Sequence, residues 1–252
     1  MPLNRIPFMN IHLDNITTEE ALDYIDEWIA SRRIGQIITP NCDQIVQVEN
    51  NPVLKPIWDD AELLFADGHP LLWFAKWYKT PLREKINGSS FVPQLCARAA
   101  EKGYSVFLLG AATGVADKAA ENLKKAYPGI HIAGTFSPSY GFEKKPEEVA
   151  AINAMLRESN ADILILGVGV PKQEIFGYSN QAEYNIPVTI NAGATIDFLA
   201  GNKKRAPKWM VDSGLEWLYR TMQEPKRVGK RVIQDLAIFP MAVKYLPKKR
   251  KR

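Results

Sequence analysis

Residues 105–114 read Ser-Val-Phe-Leu-Leu-Gly-Ala-Ala-Thr-Gly, an unbroken apolar run that stops at a glycine-rich turn. A second run, Ile163-Leu164-Ile165-Leu166, ends the same way in Gly167-Val168-Gly169, and a third, residues 187–191, ends in Ala192-Gly193. Strands that are apolar at every position have both faces covered, which is the habit of parallel sheets. Helix-like segments separate them: one follows Gly114 to about Tyr127, another covers residues 145–159, and residues 130–135 add a further strand. This alternation predicts a doubly wound, mostly parallel α/β sheet.

The same grammar extends toward the N-terminus. Thr17 and Glu20 have capping-box spacing, with the hydroxyl accepting from the backbone and the carboxylate reaching back. They open a helix whose Ala21, Leu22, Ile25, Trp28 and Ile29 recur at helical period. Residues 35–39 form a short apolar strand ending at Pro40-Asn41, and a helix follows near residues 43–50. Residues 63–66 read as a buried strand that stops at Asp67-Gly68, and residues 70–79 as a helix rich in Trp, Leu and Phe. Beyond Gly201 no strand is predicted; residues 207–222 and 224–245 read as helices. The expected organisation is a core over residues 1–200 and a basic helical appendage over residues 201–252.

Composition sets outer bounds. The 252 residues are 46% hydrophobic and 24% charged, enough for a sizeable core and too apolar for wholesale disorder. Cys42 and Cys96 supply no disulfide framework and no metal spacing with the three histidines, so a reducing cytosol is expected. The first fifteen residues lack an apolar core of signal-peptide type. The apolar stretch 236–243 is too short to cross a bilayer and contains Pro240. Charge is divided unevenly. Residues 203–252 hold 15 Lys/Arg against 4 Asp/Glu, whereas residues 1–202 hold 17 against 24. An acidic body with a basic tail points to a polyanionic partner, either nucleic acid or an anionic membrane surface.

In a parallel α/β sheet, ligands sit outside the carboxyl ends of the strands. Four polar signals fall there: Thr39-Pro40-Asn41, Asp67-Gly68, the Gly110 to Gly114 turn, and Gly169-Val170-Pro171-Lys172-Gln173-Glu174. Gly110 and Ala111 either present backbone amides to a phosphate or make a tight strand-to-helix turn. The turn lacks the full G-x-G-x-x-G spacing of a dinucleotide site. The Gly169 turn is more specific, because a solvated first helical turn explains Glu174 but not the whole combination. Asp67 is placed either to deprotonate a hydroxyl or to serve as an Asx turn or N-cap. Thr39 and Asn41 face the same choice between turn chemistry and ligand contact. There is no Asp-x-Asp pair, Walker A sequence or nucleophile elbow. A departing diphosphate would therefore need Arg and Lys, which the tail supplies in Arg205, Arg220, Arg227, Lys230 and Arg231. No metal site and no cofactor are expected.

Taken in order, these motifs resemble the WecG/TagA/CpsF family of bacterial glycosyltransferases. The series is Thr39-Pro40-Asn41, Ala66-Asp67-Gly68, Gly167 through Glu174, Asn191-Ala192-Gly193-Ala194-Thr195-Ile196-Asp197-Phe198, Arg205-Ala206-Pro207, Glu216-Trp217-Leu218-Tyr219-Arg220 and Glu224-Pro225. The resemblance implies a Rossmann-like core and metal-independent, inverting transfer of a sugar from a UDP-sugar donor. The implied acceptor is a sugar on a polyprenyl diphosphate at the cytoplasmic face of the membrane, where the enzyme is peripheral. The best-known activity moves N-acetylmannosamine onto lipid-linked N-acetylglucosamine in teichoic acid synthesis; other members serve capsule, exopolysaccharide or enterobacterial common antigen.

Position by position, the resemblance makes Asp67 the general base and Thr39, Asn41 and Gln173 polar site residues. It makes Arg220 and Arg227 donor-diphosphate contacts on an appendage that folds over the site, with Lys230 or Arg231 near a third arginine. The chain departs from the family at two places. Lys85 stands where an arginine is common, keeping the charge without the bidentate fork, and Ser90 stands where aspartate is common. Two other readings compete. A Rossmann-type oxidoreductase lacks its glycine fingerprint and acidic ribose partner here, and a nucleic-acid-binding protein lacks any recognised motif. A homo-oligomer is compatible with the sequence.

Overall fold

The computed structural model describes residues 3–203, 206–207, 209–210, 215–223 and 236–246. Its centre is a six-stranded, all-parallel sheet of β3 (Gly35–Ile38), β4 (Leu63–Leu64), β5 (Ser105–Gly110), β6 (His131–Phe136), β7 (Ile163–Gly167) and β8 (Val188–Asn191). The strand order is β4-β3-β8-β7-β5-β6. The chain therefore starts one strand in from an edge, takes that edge with β4, crosses to the far side for β5 and β6, and returns inward until β8 pairs with β3. With every strand parallel, all the carboxyl ends open on one edge.

Alternate residues show why these runs had to be apolar throughout. Ile37, Leu63, Val106, Leu108, Ile163, Ile165, Val188 and Ile190 pack on one face against α1 (Thr18–Ala30), α5 (Gly88–Lys102), α6 (Val115–Ala126) and α9 (Thr195–Leu199). Ile38 and Leu64 face the other side, beneath α2 (Cys42–Asn50), α3 (Leu54–Asp59) and α4 (His69–Trp77). Phe107, Leu109, Leu164 and Leu166 face that side too, beneath α7 (Pro146–Glu158) and α8 (Lys172–Tyr184). Each such side chain contributes about 1.5–3 kcal/mol when fully buried. A polar residue on either face would give that up.

Local expectations hold in detail for α1, where Thr17 and Glu20 make both hydrogen bonds of the capping box. Others need correcting. The strand expected over residues 63–66 has ladder pairing only at Leu63–Leu64, beyond which the Phe65 and Asp67 amides still bond to the Ile38 and Pro40 carbonyls. An antiparallel hairpin, β1 (Arg5–Phe8) and β2 (Ile11–Asp14), precedes the sheet. It is pinned to β4 by buried Asp14, which accepts from the Leu64 amide at 2.8 Å and from Arg5 at 3.1 Å. Burial pushes the Asp14 carboxyl upward, and those two donors pull against it.

At the C-terminal end, helices Glu216–Gln223 and Ile238–Lys244 are described. Much of the second helix expected there, residues 224–235, lies outside the described residues. Ile238, Met241 and Ala242 are buried against α2 and α4, and the Tyr78 hydroxyl donates to the Ala242 carbonyl at 2.7 Å. The last described helix is thus packed into the core. Among the described residues, no helix is long and apolar enough to cross a membrane.

Candidate active site

The carboxyl-end loops of β3 and β4 are tied together. The Asp67 amide donates to the Pro40 carbonyl at 2.8 Å, one residue from both Thr39 and Asn41. Thr39, Asn41 and Asp67 therefore converge on the outer edge of the sheet. Thr39 is buried, whereas Asn41 and Asp67 are half-buried. Asn41 caps α2: its Oδ1 accepts from the Gln44 amide, and Gln44 Oε1 accepts from the Asn41 amide. Asp67 does not cap α4. That place falls to Gly68, whose φ of 115° is one that L side chains avoid. The Asp67-Gly68 pair is thus a sharp exit from β4 that leaves a carboxylate at the strand end.

The loop after β7 meets this pair from below. Gln173 and Glu174, on the first turn of α8, are 2% and 1% exposed. Glu174 Oε1 accepts from Gln44 at 3.2 Å and from Gln173 at 3.0 Å, and Gln173 Oε1 accepts from the Gly193 amide at 3.2 Å. One buried chain, Asn41–Gln44–Glu174–Gln173–Gly193, therefore locks the loops following β3, β7 and β8. Glu174 Oε2 has no hydrogen-bond partner. On the same edge, the first turn of α5 packs on the ends of β3 and β8. A Cβ on Gly88 would lie 3.4 Å from Thr39 Oγ1 and 3.5 Å from Thr195 Oγ1. Thr195 was legible only as part of the Asn191–Phe198 motif and Gln44 not at all, although the Asn-x-x-Gln capping spacing was an available signal for it.

The Gly110 to Gly114 turn proves to be built for packing. A side chain on Gly110 would overlap the Gly167 carbonyl. The Ala111 amide is spent on that same carbonyl at 3.1 Å, and Ser137 donates to the Gly110 and Ala112 carbonyls. The tight-turn alternative accounts for Gly110 and Ala111. Gly169 accepts from the Gln173 amide at 2.9 Å, two residues ahead of the α8 N-cap, Pro171. Lys172 pairs with Glu143 at 2.9 Å and lies over the Tyr140 ring. Lys85 is half-buried two residues ahead of the α5 cap, Asn87. Arg205, Arg227 and Arg231 lie outside the described residues, as does the side chain of Arg220 on helix Glu216–Gln223. Among the described residues, no group of three or more His, Cys, Asp or Glu is arranged to hold a metal ion.

The comparison with known proteins decides what such an edge belongs to. Residues 6–252 match the glycosyl transferase WecG/TagA/CpsF family. The chain belongs to that family. It is also 29% identical over 226 residues to an N-acetylglucosaminyldiphosphoundecaprenol N-acetyl-beta-D-mannosaminyltransferase of Bacillus spizizenii, covering 90% of this chain and 84% of that protein. As a WecG/TagA/CpsF protein the chain is a hexosyltransferase, and its Rossmann-like parallel sheet carries the converging loops at the edge where such sheets hold ligands.

Glu174 gives this WecG/TagA/CpsF site a measurable pH signature. Burial pushes its carboxyl from 4.5 up to about 7, against the pull of the Gln173 and Gln44 amides. Between those values the folded protein holds a proton that the unfolded chain has released. Stability from this group is therefore full below pH 4.5 and is lost as pH rises to about 7, by at most on the order of 3 kcal/mol. Glu174→Gln removes the titration. Urea midpoints at pH 5 and pH 8 should show the variant gaining on wild type as pH rises; parallel behaviour would contradict the buried neutral carboxyl.

Proposed function

We propose that this hexosyltransferase moves N-acetylmannosamine from its UDP donor onto N-acetylglucosamine carried by a polyprenyl diphosphate. The activity for which the Bacillus spizizenii relative is named supports the sugar and the acceptor. The observation that supports it in the fold is the hydrogen bond from the Asp67 amide to the Pro40 carbonyl, which brings half-buried Asp67 beside the Thr39–Asn41 loop at the ligand edge of the sheet. Asp67 takes the proton from the acceptor hydroxyl as that oxygen attacks the anomeric carbon. The bond from that carbon to the diphosphate breaks, the electron pair leaves with UDP, and the configuration at carbon inverts. Thr39, Asn41 and Gln173 orient the sugars, and Lys85 faces acceptor or donor phosphate.

Arg220 and Arg227, with Arg205 and Arg231, neutralise the leaving diphosphate. In this reading residues 201–252 form the part that closes over the site. The enzyme works as a peripheral protein on the inner, anionic face of the cell membrane, in assembly of teichoic acid, capsule or exopolysaccharide. Because the sequence has no Asp-x-Asp pair and many cations near its end, transfer should need no divalent metal. Incubation with a panel of UDP-sugars and a synthetic lipid-diphosphate-sugar acceptor, followed by UDP release, tests both points. Release should depend on acceptor and persist in EDTA. Loss in EDTA that Mg²⁺ or Mn²⁺ restores would overturn the metal-free mechanism.

A further inference from the structure

The helix that begins beside Asp67 carries the largest exposed aromatics of the core. On α4, Trp73 is 63% exposed and Trp77 49%. Side by side with them, helix Ile238–Lys244 exposes Phe239 at 56% and Val243 at 59%. The two elements form one continuous surface: the Phe239 ring packs edge-on against Phe74 at 5.5 Å, and Phe74 contacts Trp77 at 6.4 Å. Burying a large apolar side chain is favourable by about 1.5–3 kcal/mol, so an apolar patch of this make-up marks a docking surface.

Charge selects the occupant. Residues 68–83 and 236–252, which contain both elements, hold nine Lys/Arg and no Asp/Glu. Lys76 and Lys79 are exposed on and just beyond α4. Lys244 is engaged by Glu49, and the aromatic residues beside Lys76 and Lys79 suit the boundary between acyl chains and anionic headgroups. In a two-fold pair of copies this cationic face would meet itself, and like charge opposes that contact.

We infer that Trp73 and Trp77 of α4, with Phe239 and Val243, seat the protein on an anionic lipid bilayer and hold Asp67 at headgroup height. The inference rests on the lipid-linked acceptor proposed above. α4 begins two residues after Asp67, and at 1.5 Å per residue Trp73 lies roughly 6 Å and Trp77 roughly 12 Å along it from His69, so with α4 lying along the surface Asp67 stays near the headgroup layer. A headgroup layer is about 5–8 Å thick. A sugar on a lipid diphosphate thus reaches Asp67 while its hydrocarbon stays in the bilayer.

The test uses the full chain, vesicles of phosphatidylglycerol with phosphatidylcholine, and vesicles of phosphatidylcholine alone. Wild type should sediment with the anionic vesicles, and brominated lipid should quench its tryptophan emission. The Trp73→Ser/Trp77→Ser variant should lose about tenfold or more in partitioning, with unchanged thermal midpoint and unchanged transfer to a short, water-soluble acceptor. Val243→Asp, on the other helix, should lose binding as well. Deleting residues 248–252 should weaken binding to the anionic vesicles only. Equal vesicle binding by wild type and both variants overturns the inference. So does conversion of a dimer to monomers by them in sedimentation equilibrium, because the face would then join two copies. Patch-dependent vesicle binding without sugar transfer to any acceptor would sustain this surface while removing the proposed reaction.

Discussion

Asp67→Asn should lower the transfer rate by about 10²–10⁴, the usual range for removing a positioned general base. The substitution keeps size and hydrogen-bonding shape, and the backbone bond from residue 67 to the Pro40 carbonyl is untouched. Loss of fold is therefore not the expected cause. Because the carboxylate acts on the acceptor, donor affinity measured by calorimetry with UDP should stay within about twofold, on the order of 0.4 kcal/mol. Near wild-type turnover would remove Asp67 from the mechanism. Equal loss of donor affinity would make it a donor contact instead.

Arg220→Ala and Arg227→Ala should each cost about 10²–10³ in turnover, the scale seen when one preorganised contact to developing negative charge is deleted. Point substitutions are the right probe. Truncation before Arg220 would also strip away Ile238, Met241 and Ala242, which are buried against α2 and α4. The water-soluble acceptor separates chemistry from membrane recruitment: both variants should be impaired on it to the same extent as on the lipid-borne one. Full activity on the soluble acceptor would reduce these arginines to membrane contacts.

The legible parts of the fold were those where local and tertiary demands agree. Three largely apolar strands with glycine ends were readable because burial on both faces favours apolar residues at successive positions, and α1 because its capping box and apolar period coincide. Helix α5 was missed: its Gly88-Ser89-Ser90 start and internal Pro93 contradict helical propensity, and packing against α9, β5 and α1 overrides it. The β1–β2 hairpin turns through Met9 at a φ of 51° without a glycine, so no turn signal announced it. Strand order was not readable, since apolar runs do not record their neighbours.

The site divides along the same line. Thr39, Asn41 and Asp67 stood out because they follow the ends of apolar strands, and Gln173 because of the Gly169–Glu174 combination it belongs to. Glu174 resembled an ordinary acidic first turn, and only the packing of α8 beneath the β3 loop shows it buried on Gln44. Gly110 and Ala111 resembled a phosphate cradle because close backbone packing and anion binding ask for the same small residues.

Mass spectrometry of a polyprenyl-diphosphate N-acetylglucosamine acceptor, after incubation with UDP-N-acetylmannosamine in EDTA, bears on every part of the proposed reaction at once. The acceptor should gain one N-acetylhexosamine with wild type and almost none over the same interval with Asp67→Asn. An acceptor left unmodified by wild type, or modified equally by both proteins, would contradict sugar transfer driven by the Asp67 carboxylate.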